Sequence, residues 1–182
     1  SVMLTSVSIV KEKEFGSMEL LIVTPLKSIT IILGKVIPYF FLSIVNISLI
    51  FLLGRFLFSL PFEGSILTLY ILTLLYIILA LSIGIFISVI VDNQQVAMLI
   101  SLVALMLPTI LLSGFIFPIE NMPKWLQILS SMLPPRYFIE ALRGILLKGN
   151  GLKELWSNFI VILFMVIFFI TISIKKYKSR LT

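Results

Sequence analysis

Ionisable side chains able to do chemistry are few in this chain, and the informative ones stand in two clusters. The first is the alternating run Lys11–Glu14. The second comprises Arg136, Glu140 and Arg143, whose spacing of four and three residues puts them on one helix face, where they can form ion pairs. Such groups are suited to docking a partner or contacting a charged ligand, because they recognise opposite charge.

Two missing residue types narrow the chemistry further. The chain has no Cys and no His, which removes thiolate nucleophiles, His general bases, haem ligation by His and zinc sites built on either residue. Gly34-Lys35 does not end a phosphate loop, because no glycine stands five residues before it and Val36 follows. We therefore expect no metal site, no cofactor bound by this chain and no ATP hydrolysis by that route.

Membrane-spanning helices must position these charges, because the composition excludes a soluble domain. Of 182 residues, 60% are hydrophobic and 12% charged, and the mean hydropathy is +1.21. About 20 helical residues cross a bilayer core of ~30 Å. Four charge-free runs reach or approach that length, with 19, 28, 27 and 20 residues: Val36–Gly54, Gly64–Val91, Asn93–Ile119 and Leu155–Ile174.

These runs predict an all-α, polytopic membrane protein with four full transmembrane helices. Their expected limits are about Ile29–Phe58, Ser65–Val91, the Asp92–Gln95 turn to Phe117, and Leu155–Ile174. Ser1–Val10 is apolar but too short to span. We expect it to be the end of a fifth span in a longer chain.

Three residues within these spans carry specific expectations. Pro108 removes an intrahelical hydrogen bond and predicts a kink. Lys35 is expected to extend toward the near interface, because an ammonium at mid-bilayer costs about 2.5–3.5 kcal/mol. Asn46 is the best single candidate for a polar residue that lines a transport pathway.

The net charge of +6 reflects topology. Fourteen Lys and Arg oppose eight Asp and Glu, but no basic stripe alternates with aromatic residues, so no nucleic-acid partner is expected. Alternation of the spans puts both chain ends, Lys11–Lys35 and the Asp92 turn on one side, which we assign to the cytoplasm. The opposite side receives Pro61–Gly64 and Ile119–Glu154.

Two non-spanning segments are amphipathic. In Lys11–Pro25, a helix would put Phe15 and Met18 on one face and Glu12 and Glu19 on another, which indicates an interfacial helix or an element that docks on a partner. In Ile119–Glu154, two short helices follow one another across Pro134-Pro135, and their ionic residues suit either a structural ion-pair cluster or contact with substrate.

The charged segments also resemble a known family. Lys11–Leu26 carries the basic and acidic pairs, glycine, small hydroxyl, acidic residue and Thr-Pro typical of type-2 ABC exporter permeases, and Leu33–Tyr39, which follows it, extends the resemblance. A second resemblance, to the late signature of the same family, covers Ser113–Pro118, Asn121–Pro123, Pro134–Phe138 and Arg143–Gly149. Together the motifs extend over practically the whole chain.

The resemblance implies a single exporter transmembrane domain over residues 1–182, lacking the first span and most of the second. Residues 11–25 would be a coupling helix that touches the ATPase, and residues 119–154 a re-entrant, extracytoplasmic helical segment. The implied ATPase-coupling residues are Glu12, Glu14, Phe15, Gly16, Met18, Glu19, Thr24 and Pro25. The implied gating residues are Arg136, Tyr137, Phe138, Glu140 and Arg143.

The same resemblance implies partners and a location. They are a cytoplasmic ATP-binding cassette subunit that carries the ATP and Mg, a second permease half and membrane lipid, in the plasma membrane of a bacterium or archaeon. Homodimer and heterodimer stay open. An apolar lumen with scattered hydroxyl groups suits amphipathic drugs, lipids or lipid-linked glycans alike.

Two other functions stay open at this point. A non-transporting membrane scaffold or assembly protein would use the amphipathic segment 11–25 only as an anchor. An intramembrane enzyme acting on lipid would need two carboxylates near one another, and Glu120 and Glu140 are the candidates on the far side.

Overall fold

The computed structural model describes residues 1–15, 28–58 and 63–179, and within these ranges it contains helices and no strand. The α-helices are α1 (Val2–Glu14), α2 (Ser28–Leu57), α3 (Ile66–Ile90), α4 (Gln94–Ser101), α5 (Leu107–Leu112), α6 (Lys124–Ser131), α7 (Pro134–Lys148) and α8 (Trp156–Ser179). A π-helical segment, Leu102–Met106, joins α4 to α5, and a 3-10 turn, Ile119–Asn121, precedes α6. The prediction of a polytopic helical membrane protein is confirmed.

Among the described residues, three helices are long and apolar enough to cross a membrane. They are Leu33–Leu57 and Ile66–Ile90, with 25 residues each, and Trp156–Lys176, with 21. They coincide with three of the four predicted spans. Each is apolar around most of its circumference, as expected for helices whose alternative environment is lipid and not water.

The remaining predicted span, up to Phe117, is interrupted in the structure. Helix α4 passes into the π-helical segment, and α5 ends at Leu112. The cause lies in Pro108, the second residue of α5, which has no N–H to offer the carbonyl of Ala104 four residues earlier. The wider π turn accommodates that missing bond, so the expected irregularity extends over one turn before the proline.

The described chain divides into two compact units. One contains the described parts of Ser1–Ile44, Ile77–Ala104 and Val166–Thr182, and the other contains those of Val45–Tyr76 and Leu105–Met165. The long helices contribute to both units. Each unit holds one of the two charged clusters.

In the first unit, α1 packs closely on its neighbours. Thr5, Ser6, Ile9 and Val10 are buried, and the hydroxyl groups of Ser6 and Ser101 are 3.0 Å apart. A Cβ on Gly84 of α3 would lie 2.9 Å from the Thr5 Cβ. Only glycine permits this approach, because two Cβ atoms in a protein do not come within 3.0 Å of each other.

In the second unit, α6 and α7 form the predicted amphipathic pair. With 8 and 15 residues, they are too short to span a bilayer. Pro134-Pro135 occupies the start of α7, where a missing N–H costs nothing. Gly149 ends the helix with φ 67°, and the Asn150 N–H donates to the Gly144 carbonyl at 3.0 Å.

Candidate functional site

The first charged cluster, Lys11–Glu14, forms the last turn of α1. Helix α1 continues to Glu14 and ends at Phe15, so the first four residues of the expected coupling helix belong to α1 in the structure. Phe15 is 70% exposed. The other expected coupling residues, Gly16, Met18, Glu19, Thr24 and Pro25, lie outside the described residues.

Glu12 forms an ion pair with Lys35 of α2. The lysine side chain is only 16% exposed, so the carboxylate supplies a partner for a largely covered ammonium group. An unpaired charge in such a place would be costly. Lys35 therefore has an ion-pair partner on α1, and its extension toward the interface stays a prediction.

Lys13 binds the carboxyl-terminal end of α3. Its Nζ donates to the carbonyl oxygens of Ser88 and, at 3.3 Å, Val91, and lies 3.5 Å from Oδ1 of Asp92. The last carbonyl groups of a helix have no intrahelical partner and carry partial negative charge. The ammonium group therefore occupies a position where both the helix end and Asp92 attract it.

Glu14 binds the amino-terminal end of α4. Its Oε2 accepts from the Gln94 backbone N–H at 3.2 Å and from the Gln94 Nε2 at 2.8 Å. The Oδ1 of Asn93 caps the same helix, accepting from the N–H groups of Gln95 at 2.7 Å and Val96 at 3.4 Å. A carboxylate is favourable here because the first N–H groups of a helix carry partial positive charge.

The second cluster belongs to α7 but does not form the predicted ion pairs. In the described chain no ion pair within 4.0 Å joins Arg136, Glu140 and Arg143. Arg136 Nη1 instead donates to the Gln127 carbonyl at 3.2 Å, and Arg143 Nη2 donates to the Phe115 carbonyl at 3.1 Å. Exposed helix pairs contribute little, so backbone carbonyls of neighbouring segments compete successfully for the guanidinium groups.

The two aromatic residues predicted beside these charges hold α7 in place. The Tyr137 hydroxyl donates to the Ser131 carbonyl at 2.8 Å. The Phe138 ring stacks on Tyr76 of α3, with centroids 4.2 Å apart and planes at 17°. The Tyr137 carbonyl accepts from the Asn158 Nδ2 of α8 at 3.1 Å. Their observed contacts anchor the amphipathic pair to the long helices.

A polar cavity of about 660 Å³ brings the charged residues of this region together. Arg136, Glu140 and Arg143 all line it, although they do not pair. Glu120, Lys148 and Glu154 also line it, so three acidic and three basic side chains face one space. The two carboxylates considered for an intramembrane enzyme, Glu120 and Glu140, are both among them.

An apolar cavity of about 540 Å³ lies beside α7 as well. Ile139, Arg143 and Leu147 line both cavities. The other lining residues of the apolar cavity are mainly hydrophobic or aromatic: Tyr76, Thr109, Ile110, Phe115, Pro135, Phe138, Leu142 and Leu146. One helix therefore presents a mixed-charge space and an apolar space that share three of its side chains.

Asn46 belongs to neither charged cluster and lines neither of these two cavities. Its side chain is exposed on α2. Conversely, the contacts of Lys13 could not be predicted from the sequence, because its partners Ser88, Val91 and Asp92 are more than 70 residues away. The only sequence signal for this contact was the expectation that Lys11–Lys35 and the Asp92 turn share one side of the membrane.

Long apolar helices joined to a non-spanning amphipathic pair define a polytopic membrane domain. The family profile described as ABC-2 family transporter protein matches residues 1–175. The chain belongs to this family, and the resemblance to ABC exporter permeases is confirmed.

Several curated relatives extend along nearly the whole chain. A probable multidrug ABC transporter permease of Escherichia coli, YbhS, is 36% identical over 98% of this chain and 47% of its own length. A second, YbhR, is 34% identical over 85% of this chain and 42% of its own length. ABC transporter G family member 20 of Dictyostelium discoideum is 32% identical over 99% of this chain and 25% of its own length.

The chain spans about half the length of the first curated relatives it matches, or less. No solved structure matches it significantly.

Proposed function

We propose that this chain is part of the permease subunit of an ATP-driven exporter. A second permease half completes the pathway, and a separate cytoplasmic subunit binds and hydrolyses ATP with Mg. The observation that carries the proposal is the family match over residues 1–175. The E. coli relatives named as multidrug ABC transporter permeases support export as the direction and a bacterial or archaeal plasma membrane as the location.

The proposed substrate is an amphipathic molecule. Its apolar part would enter the apolar cavity, lined by Phe115, Phe138 and Leu142. Its polar head would enter the polar cavity, which is lined by acidic and basic side chains. Ligand sites combine an apolar lining with a few convergent polar groups. The balanced set of three acids and three bases favours a zwitterionic head group over one that carries a single charge.

Arg143 lines both cavities. We therefore expect it to contact the substrate where the polar head joins the apolar part. Replacing it with methionine keeps much of the side-chain volume and removes the charge and the bond to the Phe115 carbonyl. We expect Arg143→Met to raise the KM for an amphiphilic dye by about ten- to a hundredfold, since a hydrogen bond from a charged group is worth about 1.5–3 kcal/mol.

The matched control is Lys148→Met. Lys148 lies on the same helix and lines only the polar cavity, so a general loss of positive charge there should change KM much less. Equal effects of the two substitutions would contradict a specific role for Arg143.

The function itself is tested with the full-length permease. Purification in mild detergent should yield a complex with an ATP-binding subunit, and inside-out vesicles containing both should take up the dye when ATP is added. A partner whose phosphate-loop lysine is replaced should abolish uptake without dissociating the complex. Failure of any ATP-binding subunit to co-purify would contradict the proposal and favour the scaffold alternative.

A further inference from the structure

The three consecutive residues Glu12, Lys13 and Glu14 contact three different elements. Glu12 pairs with Lys35 of α2, Lys13 binds the end of α3, and Glu14 binds the start of α4. We propose that Glu12–Glu14 is a positioning cluster, which fixes the end of α1 against helices α2, α3 and α4 so that the four helices move together. This inference rests on the proposed function, in which the end of α1 receives motion from the ATPase.

Helix geometry explains how one turn reaches three partners. Successive side chains on an α-helix point about 100° apart, so three in a row extend in clearly different directions around α1. Each direction contains a group of opposite charge or dipole: an ammonium, a helix carboxyl end and a helix amino end. Rotation or translation of the α1 end therefore disturbs all three contacts together.

The charge order matches the order of the helix ends. Lys13 lies at the carboxyl end of α3, where it is also close to Asp92. Glu14 lies at the amino end of α4, which begins at Gln94, two residues after Asp92. Exchanging the signs of Lys13 and Glu14 would put like charge against both helix ends. The order Lys-Glu is therefore required by the α3–α4 turn that it contacts.

Burial makes the cluster specific. The side chains of Lys13 and Lys35 are each 16% exposed, compared with 36% for Glu12. A covered ammonium group depends on its partner, so breaking one pair costs more than an exposed pair would contribute. The contacts thus favour one arrangement of α1 against the three helices over alternatives.

The proposal differs testably from a direct role in ATPase contact. If Glu12 acts by touching the ATPase, its charge must be negative regardless of Lys35. If Glu12 acts by positioning α1, only the opposition of charges at positions 12 and 35 matters. Exchanging the two charges separates these possibilities.

The experiment uses the full-length permease with its ATP-binding subunit and compares Glu12→Lys, Lys35→Glu and the double exchange. ATP-dependent dye uptake and the temperature of unfolding in detergent are both measured. Each single reversal should reduce uptake about tenfold and lower the unfolding temperature, and the double exchange should recover uptake to within about threefold, as for directly coupled residues. Lys11→Glu, an exposed reversal on the same turn, should leave the unfolding temperature unchanged.

Either of two results would overturn the proposal. One is a double exchange as impaired in uptake as Glu12→Lys while the unfolding temperature is restored, which would assign Glu12 to the ATPase contact. The other is single reversals that change neither quantity. If the unmodified protein shows no ATP-dependent uptake, the proposed function fails, whereas recovery of the unfolding temperature in the double exchange still reports on the Glu12–Lys35 contact.

Discussion

Gly84 provides the sharpest test of how α1 packs in the first unit. A Cβ at this position would lie 2.9 Å from the Thr5 Cβ and 2.9 Å from the Val2 carbonyl oxygen. Backbone and Cβ atoms cannot swing away as the end of a long side chain can. Gly84→Ala must therefore push α1 and α3 apart, and overpacking of this kind costs about 1–3 kcal/mol.

A second glycine isolates the clash from the intrinsic effect of alanine. Gly34 of α2 has no atom within 4 Å of an added Cβ, and it also lies inside a long apolar helix. Gly→Ala in a helix interior is favourable by about 1 kcal/mol in water. Because that contribution is shared by both variants, the difference between their unfolding free energies should equal the clash alone, about 1–3 kcal/mol.

The assay is unfolding of the detergent-solubilised permease in mixed micelles, followed by circular dichroism. We expect Gly34→Ala to be at least as stable as the unmodified protein and Gly84→Ala to be the less stable of the two. Equal stabilities would refute the reasoning, because they would mean that α1 does not approach the backbone of α3 at Gly84.

Two further predictions concern caps and ring contacts. Asn93→Ala should lower the unfolding free energy by about 0.5–2 kcal/mol, because it removes the acceptor for two N–H groups of α4. Asn93→Asp keeps an acceptor and should lower the unfolding free energy much less. Equal losses of the two variants in chemical denaturation would contradict the cap. In a double-mutant cycle, Phe138→Leu and Tyr76→Leu should show a coupling of about 0.5–1.5 kcal/mol from the stacked rings. Additive effects in that cycle would argue against the contact.

The helical membrane class and most helix limits could be predicted from the sequence. Charge-free runs of spanning length, proline at the start of α7 and glycine after it act locally, so their consequences do not depend on distant residues. Pro108 likewise predicted an irregular helix, because the missing N–H is a local property. The extent of the π-helical segment was not predictable, since it depends on how the surrounding helices accommodate the lost bond.

The candidate site was predicted as residues but not as contacts. Arg136, Glu140 and Arg143 have the spacing of ion pairs, yet their guanidinium groups bind carbonyls of other segments. The coupling role of Glu12 and Glu14 stays a prediction, and the sequence did not predict their contacts with Lys35 and Gln94. For Arg136, Glu140 and Arg143, periodicity along one helix identified a shared face but contained no information on what packs against it.

By itself, the sequence determined that this protein is a helical membrane domain, where its long helices run and which family motifs it carries. Hydrophobic run length and backbone chemistry set these properties, because lipid requires each spanning segment to satisfy its own hydrogen bonds. Only the tertiary structure decided which charges meet. Lys13 joins Ser88, Val91 and Asp92 across more than 70 residues, and such pairing follows from the packing of helices and not from the order of residues along any one of them.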